Sequence, residues 1–188
     1  SEMCIRDRHE EVGEVGELVV RAIHPWTTCQ GYFAMPVKTS EAFRNLWFHT
    51  GDGLKIDEHG WYYFVDRLKD ALRRRGENIS SYEVEQALVS HPSIGEVAAI
   101  GVPADQEAGE DEVMVFIVPE DGHSVEPEEI WKYSEKQLPD FAIPRYIHVL
   151  DELPKTPSEK VRKIELREMG VTDDTSDRGP QPKKRRKK

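Results

Sequence analysis

Between Leu54 and Val65 the chain writes out a hairpin. Leu54-Lys55-Ile56-Asp57 and Trp61-Tyr62-Tyr63-Phe64-Val65 are short runs of strand-forming residues, the second almost wholly aromatic. Glu58-His59-Gly60 lies between them and supplies the glycine that a tight reversal wants. Directly after it the character changes. Asp66-Arg67-Leu68-Lys69-Asp70 is charged at every position but Leu68 and belongs to neither neighbour, so a domain joint is expected here. Ala71 to Arg75 and Asn78-Ile79 then flank Gly76 and predict a second, smaller hairpin. Ser80 opens a helix, because Ser80 and Glu83 form a capping box, and Val84, Ala87 and Leu88 give it an apolar stripe. His91-Pro92 closes it.

On either side of this stretch the pattern is simpler. Gly16 to Ala22 reads as a strand, and Ser40 to Arg44 as one or two capped helical turns. Ile94 to Val102, Val113 to Val118 and Tyr146 to Leu150 are strand-like. Pro127 to Leu138 is helical, with proline in its first turn and acids at its N-terminal end. Lys155 to Lys160 is a loop, and Val161 to Glu168 a short helix. Strands alternating with helices predict a compact α+β domain after the joint. Residues 1–15 are expected to be a non-native or disordered start. Beyond Gly170 the composition turns to Asp, Thr, Ser, Pro and Lys, which predicts disorder through 171–188.

Composition excludes several classes. The net charge is −10, and the last six residues, Lys183 to Lys188, contribute +6, leaving −16 on the rest. A body this acidic argues against general nucleic-acid binding. No apolar run approaches the roughly 18 residues of a membrane span. The two cysteines, Cys4 and Cys29, form neither a disulfide framework nor a metal motif, and a reducing cytoplasm is the simple expectation.

Two motifs carry chemistry. In His49-Thr50-Gly51-Asp52 an ionised aspartate follows a glycine turn, where it can accept two hydrogen bonds from a vicinal diol or simply cap the turn. In Pro154-Lys155-Thr156-Pro157-Ser158-Glu159-Lys160 a lysine sits at the end of a proline-stiffened turn. Its ammonium is a compact charge suited to a developing anion.

With the aromatic strand, Arg67 and the Arg73-Arg74-Arg75-Gly76-Glu77-Asn78 loop, these motifs resemble the adenylate-forming superfamily, which comprises acyl-CoA synthetases, peptide-synthetase adenylation domains and luciferases. The likeness runs from about Gly16 to about Glu168 and covers the C-terminal third of such an enzyme. It implies the end of a β-rich subdomain of a large N-terminal domain (16–66) followed by a small, mobile α+β C-terminal domain (67–170). It further implies that Asp52 and Arg67 hold the nucleotide ribose and that Phe64 lines the nucleotide pocket. Lys69 would be the hinge. Arg73, Arg75, Gly76 and Glu77 would belong to the loop used in the thioester step, where three arginines also suit the phosphates of coenzyme A. Lys160 would be the catalytic lysine, ranked well above Lys155 and Lys163. The family usually has glycine where this chain has Glu159.

The implied chemistry is ATP-dependent activation of a small carboxylic acid, with Mg2+, to an acyl-adenylate, then transfer to coenzyme A. The run 73–85 looks most like carnitine/crotonobetaine-CoA ligases and fatty acyl-CoA synthetase relatives. The implied partner is an N-terminal domain absent from this sequence, without which the piece is expected to be inactive. Two alternatives stand beside this: an adenylation domain loading a carrier protein, and a noncatalytic binding module with a basic tail. His49 and His91 are expected to be structural.

Overall fold

The computed structural model describes residues 2–5, 12–24, 26–74, 77–104 and 110–179. The chain divides into two compact units, residues 1–69 and 70–188. No helix among the described residues is long and apolar enough to cross a membrane.

The first unit is a four-stranded sheet in the order β1-β2-β3-β4, every neighbour antiparallel. Its strands are β1 (Glu2–Ile5), β2 (Val15–Arg21), β3 (Phe48–Ile56) and β4 (Tyr62–Arg67). The expected hairpin is β3–β4, with Gly60 at φ 82° in its turn, a conformation that costs glycine little. Asp57 organises that turn, its Oδ1 accepting from the backbone N–H groups of His59 and Trp61, both at 2.9 Å.

Two expectations for this unit need correction. Residues 2–5 were expected outside the fold, but β1 pairs with β2 from Glu2↔Arg21 to Ile5↔Leu18. An edge strand offers a row of unpaired backbone groups, and pairing with it demands no sequence signature. The helix expected at Ser40 to Arg44 is α1, Pro36–Ala42. Pro36, with φ preset for a first turn, starts it four residues earlier, and Phe43 leaves the helical region at φ −105° and ψ 42°.

The second unit holds the small hairpin β5 (Leu72–Arg74) and β6 (Glu77–Ile79), then α2 (Ser81–Val89), β7 (Ile94–Pro103), β8 (Asp111–Pro119), α3 (Pro127–Gln137), β9 (Tyr146–Val149), α4 (Lys163–Met169) and β10 (Ser176–Asp177). The sheet order is β10-β9-β8-β7. β8 and β9 are parallel and joined through α3, while the other two pairs are antiparallel. Ser80 caps α2, its Oγ accepting from Glu83 N at 3.2 Å.

The central strand explains the layering. Val113-Met114-Val115-Phe116-Ile117 is apolar without alternation, and all five side chains are buried. Val113, Val115 and Ile117 face a core completed by Leu72, Ile79, Val84, Leu88 and Ile130. Met114 and Phe116 face a second core with Ala98, Ile100, Leu153 and Leu166. Strand period 2 thus divides one run between two helix-covered faces.

The disorder expected beyond Gly170 does not hold for residues 171–179. β10 pairs with β9, and Asp177 takes Arg145 in a bidentate contact of 2.9 and 3.1 Å. Arg178 also meets Glu135. Polar composition is no obstacle to order where each charge finds an opposite charge. The basic tail 183–188 lies outside the described residues.

Candidate active site

Each unit carries its own part of the candidate site. In the first, the β2–β3 ladder opens where the Thr-Gly-Asp motif sits. Glu17 pairs with Gly53 and Val19 with His49, so a single residue of β2 faces Thr50, Gly51 and Asp52. Such an irregularity bows the strand and re-aims its side chains. The Glu17 carboxylate fills the gap, accepting from Gly51 N at 3.2 Å through Oε1 and from His49 Nδ1 at 2.8 Å through Oε2. Thr50 Oγ1 donates to Leu18 O at 2.7 Å and lies 3.1 Å from Asp52 N, which donates to it. Gly51, at φ 75°, makes the turn.

Asp52 is therefore held from below and partly exposed. Its cross-strand partner is Arg67, whose Nε lies 2.7 Å from Asp52 Oδ1. The contact is a charge pair rather than an aligned hydrogen bond. Arg67 is exposed, and a guanidinium on an exposed side chain can turn from a carboxylate toward a ligand oxygen. Phe64 is 49% exposed on the same strand. A bulge at Val65, between the Leu54↔Phe64 and Gly53↔Asp66 pairs, separates it from Arg67. Lys69 is exposed in the turn that ends the first unit.

In the second unit, Lys155 bridges antiparallel to Val161, and the segment between them is a hairpin. Arg162 N donates to Pro154 O and Thr156 N to Lys160 O, both at 2.8 Å. Glu159 N donates to Thr156 O at 2.9 Å, closing a turn whose second residue is Pro157. Glu159 follows at φ 60°, the left-handed region expected after a type I turn in a hairpin of this size. The residue that replaces the expected glycine is thus the one the backbone strains. Lys160 N lies 3.2 Å from Thr156 Oγ1.

The three lysines separate clearly. Lys155 Nζ sits 2.8 Å from Glu96 Oε1, and that partner holds its ammonium above the usual lysine range. Lys163 Nζ is 2.8 Å from both Glu85 Oε1 and Ser81 Oγ and is largely buried. Lys160 is exposed, and among the described residues its ammonium meets no carboxylate.

The basic loop is less uniform than its sequence suggests. Arg73 is exposed, and its backbone N–H donates to Asp111 Oδ2. Glu77 is exposed on β6, opposite Arg74. Arg74 is no phosphate ligand: it is 1% exposed, and its Nη1 donates to Phe141 O at 3.1 Å and Ile143 O at 2.9 Å. Strand alternation turns it into the core, where Glu112 matches its charge. Arg75 and Gly76 lie outside the described residues. So the expected trio of exposed arginines is not present as such.

Residue types alone hid Glu17 and Glu96. Each acts through a partner more than thirty residues away in sequence, and only the presence of a carboxylate on a strand could have marked it. Among the described residues no three His, Cys, Asp or Glu side chains converge as a metal site, so no Mg2+ ligand set is assigned to this chain.

Residues 83–160 match the family described as the AMP-binding enzyme C-terminal domain. The crotonobetaine/carnitine–CoA ligase of Salmonella arizonae is 34% identical over 156 residues, 82% of this chain and 30% of that protein. The o-succinylbenzoate CoA synthetase of Bacillus subtilis, solved with its acyl-adenylate intermediate, superposes with a TM-score of 0.76 at 29% identity, covering 88% of this chain and 33% of that one. An amide bond synthetase from Marinactinospora thermotolerans gives 0.75 at 31%, covering 90% and 35%. The chain spans about 30% of the length of the curated relatives it matches.

Proposed function

From the premise that this chain belongs to the adenylate-forming enzymes, within the acid–CoA ligase family, we propose that the protein it comes from activates a small carboxylic acid with ATP. The products would be an acyl-adenylate and pyrophosphate, and the acyl group would then pass to coenzyme A. Lys160 would meet the carboxylate and the α-phosphate as charge builds between them. Asp52 would accept the ribose hydroxyls, Arg67 would turn to the nucleotide, and Phe64 would flank the base or sugar. The B. subtilis synthetase has also been solved with ATP and magnesium ion, and Mg2+ would neutralise phosphate charge here through groups outside this chain.

The domain boundaries are proposed with the same logic. The first unit would be the end of a large AMP-binding domain, and the second a small mobile domain turning about Lys69. The segment that holds Arg73, Arg75, Gly76 and Glu77 in sequence would serve the thioester step. The 188 residues alone would be inactive without the rest of the large domain.

The observation that carries this reading is Lys160 exposed on an ordered hairpin, its ammonium meeting no carboxylate among the described residues, with Lys155 and Lys163 held in ion pairs. In the full-length product of the gene, Lys160→Ala should collapse pyrophosphate release across a panel of carboxylic acids. It should leave conversion of a supplied acyl-adenylate to thioester intact. Unchanged adenylation would remove Lys160 from the chemistry, and an absence of adenylation by the unsubstituted parent would favour a noncatalytic binding module.

The likeness to an amide bond synthetase is almost as close as that to a CoA synthetase. An amine or a carrier-protein thiol is therefore the second reading, and supplying each acceptor to the purified acyl-adenylate complex separates them.

A further inference from the structure

An ion pair ties the hairpin that presents Lys160 to the neighbouring sheet. Glu96 lies on β7, an edge strand of its sheet, just after the irregularity at Gly95. Its Oε1 is 2.8 Å from Lys155 Nζ, at the base of the hairpin. The same Nζ is 3.8 Å from Glu159 Oε2, at the far end of the turn. Val161, across the bridge from Lys155, packs on the core that includes Leu153 and Leu166. Lys155 therefore touches both what the hairpin is rooted on and the strained residue before Lys160.

We propose that Lys155 is a positioning residue for Lys160, rooting the hairpin on Glu96 and drawing the Glu159 carboxylate away from the neighbouring ammonium. This rests on the role given to Lys160 above. The electrostatic reason is direct. Glu159 is adjacent to Lys160 in the chain, and its backbone is confined to φ 60°. A carboxylate released there is free to swing toward the Lys160 ammonium and to compete for it with a carboxylate substrate. Lys155 gives that carboxylate another cation. Glu96 keeps Lys155 in reach, and their ion pair holds the Lys155 ammonium above the usual lysine range.

Two measurements test this, one of them independent of catalysis. In the 188-residue chain, amide exchange is followed at Thr156, Glu159 and Lys160, with Val113 to Ile117 as the internal control. Lys155→Met should lower protection at the three hairpin amides by about two- to fivefold, the scale of one partly exposed ion pair, with the control unchanged. Lys155→Arg should restore much of it. Unchanged hairpin protection overturns the rooting role. If Lys155→Met disturbs the control strand as well, Glu96→Gln, which keeps volume and loses charge, decides by the same criterion.

In the full-length enzyme, Lys155→Met should slow adenylation by roughly tenfold while sparing thioester formation from a supplied acyl-adenylate, as expected for a displaced catalytic group. Adding Glu159→Gln, which removes the carboxylate charge and leaves the left-handed backbone as strained as before, should recover part of that loss, which a purely structural role for Lys155 would not produce. If Lys160→Ala collapses adenylation and Lys155→Met leaves it unchanged, the positioning role fails alone. If neither variant changes adenylation, the functional reading of Lys160 fails, and the exchange measurement still decides whether Lys155 roots the hairpin.

Discussion

Glu159 and Arg74 show how much a single backbone or side-chain environment can decide. Glu159 occupies a left-handed conformation, which costs an L-residue roughly 1–2 kcal/mol relative to the right-handed region. Glu159→Gly should therefore stabilise the second unit by up to about 1 kcal/mol, less whatever glycine loses in chain entropy. Thermal or urea unfolding of the chain reads this directly, and a clear loss of stability would show that the Glu159 contact with Lys155 outweighs the strain. Arg74 is the opposite case. It looks like a surface cation in Arg73-Arg74-Arg75 and is a core residue with two carbonyl acceptors and a carboxylate partner. Arg74→Ala strands the Glu112 charge and should destabilise the second unit by about 3–5 kcal/mol. Arg73→Ala should leave stability within about 0.5 kcal/mol, as exposed substitutions usually do. Equal effects of the two would contradict the burial described.

At the scale of elements, the C-terminal segment behaves as a latch. Residues 175–179 lie along β9 through β10, with Arg145 to Asp177 as the principal contact and Gly179 N donating to Asp177 Oδ1. The Arg145 guanidinium holds the Asp177 carboxyl below the ordinary aspartate range. A depressed folded-state value means the contribution to stability is complete above the unfolded value. It is lost as pH falls through the folded one. The latch should therefore stay closed at neutral pH and release only below roughly pH 4. Backbone chemical shifts of residues 175–179, followed on acid titration, should move in that window, and Asp177→Asn should show them already shifted at pH 7. Shifts that stay unmoved through that window would mean that the Arg145–Asp177 pair does not hold the segment.

For the whole molecule, the contrast between the two units is the main feature. The second has two cores on one sheet. In the first, Val19 is the single buried hydrophobic residue within 12–24 and 26–69, while Trp26, Phe33 and Trp61 are 80%, 97% and 69% exposed. With so many apolar side chains exposed, this unit has little core of its own. Amide exchange should be slow through β7 and β8 and markedly faster through β2 to β4, the latter opening with little free energy. Equal protection on the two sides of Lys69 would mean that the first unit is stable by itself.

The sequence alone determined the local elements. The capping serine at Ser80, the glycine at Gly60, the proline at Pro127 and the uninterrupted apolar run of β8 each act within a few residues, so their consequences can be read in order along the chain. The motifs around Asp52 and Lys160 were legible for the same reason, since a turn residue and the group it presents are neighbours. Tertiary structure decided what depended on distant partners. It sent Arg74 inward, tied Lys155 to Glu96 and Lys163 to Glu85, set Glu17 beneath the Thr50–Asp52 bulge, and ordered a polar C-terminal segment on Arg145. A charged side chain has no preferred environment until an opposite charge is placed beside it, and that placement is made by the fold.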